Sequence, residues 1–499
     1  MKQYPVGPRV EALIHAAGFS GIVDIGYRYI DHALITALVE RWRPETHTFH
    51  LPFGETTVTL QDVNVLWGLP IDGEPVSGAD TGITMYTARS RCQDLLRFTP
   101  EETQVKGKGV NSTRVLQEIM SDFFENQASD QDCLFRARLI IFYLRGCTVL
   151  PDNANNLISL NFLEFLEDLP ACSGYSWGSV VLSHLYRNLC NAATPNAIAV
   201  TGPMSLLQVW AWERFRCFAP AIAEFHYNAP LAARLSCTEV PTHCLKTYRS
   251  QLQFMTEDGM VFNCRPYDDI VGRLPDICQS GMGIWLSCCP LIYYSVVEHH
   301  YPQRVMRQFG MVQYIPHPIA INNTEHARLH SINRIGKTGW NWRSRHDPYV
   351  RGWDTRHQNL VTGEYITSVY IASDYMAWYM QHTVLYQTNP RLPPGPRSGF
   401  QDEGATVQMM SGTMGLIHRS QDLDFIQGVA YRALEMSNVP EYTQYPTHLT
   451  QEPVDLVSYP RTQRLGRPRR RGRGGRNVQE PGTSNWGTNF ETGGIRIWC

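Results

Sequence analysis

The sequence GYSWG at positions 174–178 places Ser176 in the G-x-S-x-G pattern of a nucleophilic hydrolase. In α/β-hydrolases this pattern holds the serine hydroxyl on a strained turn between a strand and a helix. Residues 169–173, LPACS, indicate a loop that follows a helix and not a strand. We therefore expect Ser176 to lie in a loop or at a helix N-cap, and a hydrolase that uses Ser176 is the less favoured alternative.

The tripeptide Gly336-Lys337-Thr338 has the residues that end a phosphate-binding P-loop. A P-loop also needs a glycine five positions before Gly336, because its backbone N–H groups cradle the phosphates. That position is Ser331. No nucleotide-binding site is predicted there.

His47, His50, Glu55 and Asp62 all fall in the stretch 41–78, and their side chains are of types that bind metal ions. His47 and His50 are three positions apart on a strand-like segment, which places them on opposite faces of a strand. Asp62 fits a helix cap and Glu55 fits a turn, so structural roles are predicted for all four. The sequence accordingly predicts no catalytic, metal-binding or cofactor-binding residue.

The 13 cysteines do not follow a zinc-module pattern, because no CxxC occurs and only Cys288 and Cys289 are adjacent. We expect reduced and mostly buried thiols. The pair His299-His300 is interpreted as a helix end and not as a pair of ligands.

The stretch 41–78 is dense in local structure signals. Residues 48–51 and 56–60 are β-prone, and Gly54 lies in the reversal between them, which predicts a hairpin. Thr59 and Asp62 fit a capping box that opens a short helix. Gly68 with Pro70 ends that helix.

Apolar periodicity predicts a mainly α fold, one large helical domain with this small hairpin near its N-terminus. Residues 333–353 are rich in Trp and Arg and are interpreted as irregular packed core. Helices or helix-like runs are expected at 10–17, 27–42, 88–98, 112–123, 133–144, 160–169, 177–189, 204–218, 243–252, 261–274, 285–298 and 365–386.

Four blocks of the chain resemble signatures of the plant mobile domain, which occurs in MAIN-like (maintenance-of-meristems-like) proteins. They are the stretch 41–78 and the blocks SWGSVVLSHLYRNLC (176–190), LLQVWAWERF (206–215) and EHHYPQRVMRQFG (298–310). The residues that we single out as its structural signature are His47, His50, Gly54, Glu55, Asp62, Gly68, Trp177, Trp210 and Trp212.

The resemblance implies a non-enzymatic nuclear protein that acts through protein partners, with a phosphatase-7-like protein as one partner. The implied processes are transcriptional regulation, silencing of transposable elements and meristem maintenance. An accessory or DNA-binding protein encoded by a transposable element is the alternative.

The family also carries the labels "aminotransferase-like" and "phosphatase 7 long-form homologue". An aminotransferase needs a lysine for the pyridoxal phosphate Schiff base. Only Lys246 and Lys337 lie in the part of the chain where such a lysine is expected, and neither follows a strand of an α/β pattern. A two-metal phosphatase needs clustered Asp, His and Asn, and the motifs GDxHG, GDxxDRG and GNHE are absent from the sequence. No cofactor is predicted.

The near-neutral balance of 44 basic and 46 acidic residues conceals a basic run at 461–476. Eight arginines without a carboxylate can release counterions from a nucleic-acid backbone or serve as a nuclear-import signal. They are Arg461, Arg464, Arg467, Arg469, Arg470, Arg471, Arg473 and Arg476. DNA or RNA is therefore a candidate partner of the tail.

Composition divides the chain into three parts. Residues 10–387 are the predicted helical domain, 388–440 a proline-rich linker with one helix, and 441–499 a disordered Arg/Gly-rich tail. The sequence contains neither a signal-peptide pattern nor an apolar run long enough to span a bilayer. We expect nuclear localisation and no membrane contact.

Overall fold

The computed structural model describes residues 6–383 and the pair 496–497. Within 6–383 it leaves out position 27 and the segments 80–81, 152–155, 195–196, 198, 223–224, 236–243, 254–261, 318–322, 335–336 and 367–370. The predicted linker and helix at 388–440 lie outside the described residues. So does the predicted tail at 441–499, except for 496–497.

Helices form most of the secondary structure of the described residues. They are α1 Pro8–Ala16, α2 Ser20–Ile25, α3 His32–Val39, α4 Leu60–Trp67, α5 Met85–Leu96, α6 Ser112–Ile119, α7 Asp130–Leu144, α8 Leu169–Cys172, α9 Trp177–Ala192, α10 Met204–Arg214, α11 Leu245–Gln253, α12 Asn323–Ser331, α13 Trp342–Arg345, α14 Asp347–Asp354 and α15 Ser373–His382.

The strands are short and belong to small, separate sheets. They are β1 Trp42–Arg43, β2 Thr48–Leu51, β3 Gly54–Thr56, β4 Val105–Lys106, β5 Gly109–Asn111, β6 Leu157–Ser159, β7 Ala199–Val200, β8 Cys289–Tyr293, β9 Val296–His300 and β10 Arg496–Ile497. The sheets β1-β2-β3, β4-β5-β6 and β8-β9 are antiparallel, and β10 pairs with β7 in parallel. The predicted mainly α fold with a hairpin near its N-terminus is confirmed.

Helix α9 lies at the centre of the core. Fourteen of its 16 residues are buried, including polar ones such as Arg187, so it has no solvent face. It packs against α4 and against both strands of the β8-β9 hairpin. The block 176–190 therefore supplies the helix around which the domain is built.

The stretch 41–78 folds largely as its sequence predicts. Thr59 and Asp62 form the predicted capping box at the start of α4. Gly68 ends this helix in the left-handed conformation at φ 58°, which glycine adopts without steric cost. The second strand of the hairpin is Gly54–Thr56 and not 56–60, because β2 turns back directly after Leu51, which pairs with Gly54.

The prediction of a helix-like run at 285–298 is wrong, because this segment contains the hairpin of β8 and β9. Tyr293 pairs with Val296 across a two-residue turn in which Tyr294 has φ 47°. Pro290 has no N–H to give to a helix, and the β-branched residues of both strands favour extended backbone. The pair His299-His300 consequently lies in β9 and not at a helix end.

Other boundaries also differ from the prediction. The run 27–42 divides into α3 and β1, and α15 spans only Ser373–His382 of the predicted helix 365–386. Among the described residues of 261–274, helical structure is limited to the 3₁₀ turn Val271–Arg273. The segment 333–353, predicted as irregular, contains α13 and most of α14.

No helix within the described part of the chain combines the length and the apolar character that crossing a membrane requires.

Candidate functional site

The polar side chains of the stretch 41–78 point into the domain and are paired there. Glu55 and Asp62 are both 0% exposed, and His47 and His50 are also buried. A buried charge is tolerated when it is paired and hydrogen-bonded. The hydrogen-bond and ion-pair partners of these four side chains therefore show which parts of the domain the stretch connects.

Asp62 uses its two carboxylate oxygens for different tasks. Oδ2 accepts from the backbone N–H of Thr59 at 2.7 Å, which completes the cap of α4. Oδ1 accepts from Arg214 Nη2 at 2.8 Å and from the hydroxyl of Tyr267 at 2.7 Å. The cap residue is thus also the acceptor that ties α10 and Tyr267 to α4.

Glu55 lies in β3 and not in a turn, contrary to the prediction. Its Oε1 accepts from Arg304 Nη2 at 2.6 Å and lies 3.1 Å from His50 Nε2. Burial opposes ionisation of Glu55, but the hydrogen bond from His50 and the charge of Arg304 outweigh it and lower its pKa. On the other side of the ring, His50 Nδ1 lies 2.8 Å from Thr383 Oγ1.

Glu298 in β9 is the centre of a third buried network. Arg187 of α9 donates to its Oε1, and the Nε2 atoms of His47 and His330 lie 3.0 Å and 3.1 Å from its carboxylate oxygens. Burial raises the pKa of Glu298, yet the charge of Arg187 and the two histidines hold it well below the ordinary range.

The four residues considered at the sequence level thus do not form one site. His50 and Glu55 are in contact, whereas His47 belongs to the Glu298 network and Asp62 to the Arg214 network. His47 also does not lie on a strand, because it occupies the turn between β1 and β2 with φ 53°. The predicted opposite faces of one strand therefore do not describe this pair.

A group of metal-ligand side chains lies beside Glu298. One ligand atom from each of His47, Cys190, His326 and His330 lies within 4.8 Å of every other. The sequence interpretation missed this group, although His326 and His330 are four positions apart on α12. That spacing puts two histidines on one helix face and is a detectable signal for a metal site.

Ser176 is in no position to act as a nucleophile. It occupies the N-cap position of α9, as predicted, and is 0% exposed. Its hydroxyl donates to the carbonyl of Ile71 and lies 2.7 Å from Ser179 Oγ. The following motif glycine has a packing role, because a Cβ on Gly178 would lie 2.4 Å from Ile71 Cγ2.

The Trp/Arg segment offers little aromatic surface for stacking on a base. Trp342 and Trp353 are each 1% exposed, and the indole N–H of Trp353 donates to Gly73 O at 2.9 Å. The partly buried ring of Trp340 is covered by the guanidinium of Arg345, whose Cζ lies 3.2 Å from the ring centroid. These rings thus belong to the predicted packed core, although part of the segment is helical, in α13 and α14.

A surface groove of 510 Å³ lies along α5. Its lining includes the exposed side chains of Met85 and Tyr86, together with Arg89 and Glu102. No histidine or cysteine belongs to this lining. The serine and threonine side chains of this lining are hydrogen-bonded, since Ser90 donates to Asp94 at 3.0 Å and Thr99 donates to Gln93 at 2.7 Å.

The signature tryptophans Trp177, Trp210 and Trp212 are all buried, at 2% exposure or less. Lys246 lies on α11, and Lys337 Nζ stands 4.9 Å from the ring centroid of Trp340. The eight arginines of 461–476 lie outside the described residues.

Comparisons with known proteins agree with the four signature blocks. The family model "Plant mobile domain" matches residues 18–380. The chain is 36% identical over 440 residues to the "Serine/threonine-protein phosphatase 7 long form homolog" of Arabidopsis thaliana, which covers 84% of this chain but only 31% of that relative. No solved structure matches the chain.

Two further relatives from Arabidopsis thaliana match over a larger share of their own length. "Protein MAIN-LIKE 1" is 30% identical over 377 residues, which is 74% of this chain and 70% of the relative. "Protein MAINTENANCE OF MERISTEMS" is 29% identical over 381 residues, 75% of this chain and 74% of the relative. The chain therefore belongs to the plant mobile domain family.

Proposed function

We propose that the protein is a non-enzymatic nuclear protein that acts through protein partners, and through nucleic acid at its basic tail, in transcriptional regulation and transposable-element silencing. A role in meristem maintenance is part of this proposal, because the chain is similar to "Protein MAINTENANCE OF MERISTEMS" over most of both chains. The similarity to the phosphatase 7 long-form homologue covers less than a third of that relative. It therefore carries no phosphatase activity over to this chain.

One observation favours a scaffold over an enzyme: the reactive side chains of the signature blocks are buried and bonded to one another. Asp62, Glu55 and Glu298 each accept from an arginine inside the domain. Ser176 donates to a backbone carbonyl. Groups used in this way hold elements together, and they are not free to meet a substrate.

The basic run 461–476 is the part of the chain to which we assign nucleic-acid contact and nuclear import. Each phosphate that an arginine neutralises on duplex DNA lowers the slope of log K against log salt by about 0.9. Eight contacts would give a slope of about −7. The steepness of this salt dependence distinguishes binding of the tail to the phosphate backbone from binding through a folded surface with fewer charges.

The experiment compares three full-length proteins: the wild type, a variant with the eight arginines changed to Gln, and a control with the same arginines changed to Lys. Binding to duplex DNA and to single-stranded RNA is measured over a range of salt concentrations. The Gln variant is expected to lose the steep salt dependence and nuclear accumulation in plant cells, whereas the Lys variant retains both. Wild-type binding by the Gln variant would refute the assignment to the tail.

The protein partner that we propose from the family resemblance is a phosphatase-7-like protein. The test is co-purification of the full-length chain with such a protein from plant nuclei, followed by reconstitution from the two purified components. A complex of defined stoichiometry supports the proposal. Two purified proteins that fail to associate at micromolar concentration would contradict it.

A further inference from the structure

We propose that His47, Cys190, His326 and His330 form a closed structural site for a single zinc ion. The site lies at the junction of the β1–β2 turn, α9 and α12, where His47 and Cys190 are buried and His326 and His330 are half-buried.

The four ligands come from three elements that approach from different directions. His326 and His330 lie one turn apart on α12, and their ring centroids are 4.0 Å apart. His47 projects from the β1–β2 turn, and Cys190 lies in the last turn of α9. His326 and His330 also have the His-x₃-His spacing that is common among the ligands of structural zinc sites.

The set of donor atoms suits zinc. Three imidazole nitrogens and one thiolate form the His/Cys type of donor set that Zn²⁺ binds tetrahedrally, with Zn–N near 2.0–2.1 Å and Zn–S near 2.3 Å. Those lengths put neighbouring ligand atoms about 3.3–3.6 Å apart. Ligand atoms separated by the full 4.8 Å would have to approach by about 1.2–1.5 Å through side-chain rotation when the ion binds.

Hydrogen bonds orient two of the ligands as they do in known zinc sites. His47 Nδ1 lies 2.9 Å from the carbonyl oxygen of His299, which can only accept, so Nδ1 carries a proton, and in the neutral ring Nε2 has the lone pair. A ligating histidine usually gives its other N–H to such an acceptor. The indole N–H of Trp42 donates to Cys190 Sγ at 3.3 Å, which stabilises the thiolate form.

Two nitrogens of the cluster lack a hydrogen-bond partner among the described residues, His47 Nε2 and His326 Nε2. His47 Nε2 nevertheless stands 3.0 Å from a carboxylate oxygen of Glu298. A neutral His47 therefore turns a lone pair towards an anion at close range. A cation bound to these nitrogens removes that repulsion, and a second proton on the ring is the competing explanation.

Zinc binding places one positive charge next to the carboxylate of Glu298. The Cys190 thiol releases one proton to solvent when it becomes a zinc ligand, so the ion and the thiolate together carry one positive charge. Glu298 lies next to the site and is itself paired with Arg187. Four protein ligands leave no open position for substrate, which is the mark of a structural and not a catalytic zinc.

The first test measures the zinc content of the full-length protein after purification without chelators and dialysis against metal-free buffer. We expect one zinc ion per chain in the wild type and loss of that ion in Cys190→Ala and in the double variant His326→Ala/His330→Ala. The matched control is Cys92→Ala, which removes a buried thiol on α5 outside the cluster. Full zinc content in Cys190→Ala overturns the proposal.

A second test remains informative if the ligand variants fold poorly. Zinc is removed from the wild-type chain by a chelator, and Co²⁺ is titrated into the metal-free protein. The expected spectrum has the intense d–d bands of tetrahedral Co²⁺ and a thiolate-to-cobalt charge-transfer band. In Trp42→Phe, loss of the N–H···S bond should weaken binding by about 10–100-fold.

A wild-type chain that contains no zinc and shows no cobalt spectrum would assign the cluster to protonated histidines around Glu298 and overturn the metal site. An octahedral cobalt spectrum without a thiolate band would also overturn it, because Cys190 would then not be a ligand.

Discussion

Arg214 and Asp62 form an ion pair at 2.8 Å in which both side chains are 0% exposed. The pair joins the C-terminal end of α10 to the first turn of α4, and Tyr267 donates to the same carboxylate oxygen. In this environment each charge is tolerated only because the other is present.

Asp62→Ala is therefore expected to lower the free energy of unfolding by about 3–5 kcal/mol, since it leaves Arg214 charged and buried without its partner. The measurement is urea denaturation of the full-length protein. The control is Asp347→Ala, which breaks a largely exposed pair with Arg351 and should cost less than about 1 kcal/mol. An equal loss of unfolding free energy in the two variants would refute the role given to the buried Asp62–Arg214 pair.

Gly68→Ala should destabilise the domain more than an alanine at another glycine of similar conformation. Gly68 has φ +58°, and a Cβ there would lie 2.6 Å from Pro230 Cγ. Gly107 has φ +59° with open space around it, so Gly107→Ala meets only the strain of the backbone, about 1 kcal/mol. Thermal denaturation of both variants isolates the cost of the contact with Pro230.

The domain should lose stability as the pH falls from about 6.5 to 4. Burial lowers the pKa of His184 and of His300 to about 4, so both are neutral in the folded protein. Unfolded histidine binds a proton near pH 6.5. The unfolded state therefore gains protons across this window. Each of the two histidines lowers the free energy of unfolding by up to about 1.4 kcal/mol per pH unit.

His184→Gln removes one of these titrations and can keep a donor for Pro151 O, to which His184 Nε2 now donates at 2.8 Å. The variant should show a shallower loss of stability between pH 6.5 and 4. His32→Gln, at an exposed position of α3, is the control and should behave as the wild type. An unchanged loss of stability between pH 6.5 and 4 in His184→Gln would contradict the role given to His184.

Glu55 and Glu298 have lowered pKa values, so their stabilising effect is lost only below about pH 4.5.

Ser176→Ala should lower the free energy of unfolding by about 1–2 kcal/mol, because the carbonyl of Ile71 loses a buried donor. Ser173→Ala is the control, since Ser173 is exposed and donates to Pro170 O near the surface. Hydrolysis of an activated ester is measured in parallel and should be the same in the wild type and in both variants. Activity that disappears only in folded Ser176→Ala would restore the hydrolase alternative.

Local signals in the sequence predicted local structure well. The capping box of Thr59 with Asp62 and the helix end at Gly68 both occur where the pattern places them. Each depends on side-chain and backbone groups a few residues apart. The hairpin of β8 and β9 was missed because an apolar run with a proline has the same composition in a strand and in a broken helix.

The partners of the buried charges could not be predicted. Glu55 meets Arg304 across 249 positions, and Asp62 meets Arg214 across 152. Such pairings follow from the packing of whole elements, and a single sequence does not encode them in any short pattern. The histidine cluster was partly visible, since His326 and His330 have helical spacing, but His47 and Cys190 join them only in the folded domain.

The hairpin near the N-terminus is completed by the far end of the domain. The hydroxyl of Tyr379 on α15 donates to Leu51 O, 328 positions earlier, and Thr383 contacts His50 across 333 positions. At about 5 residues per second, a ribosome needs roughly a minute to add the intervening chain. During synthesis β2 and β3 lack these two contacts until α15 has been added, and Glu55 and His50 stay hydrated until then. A message truncated before Tyr379 therefore yields a protein whose hairpin lacks part of its packing.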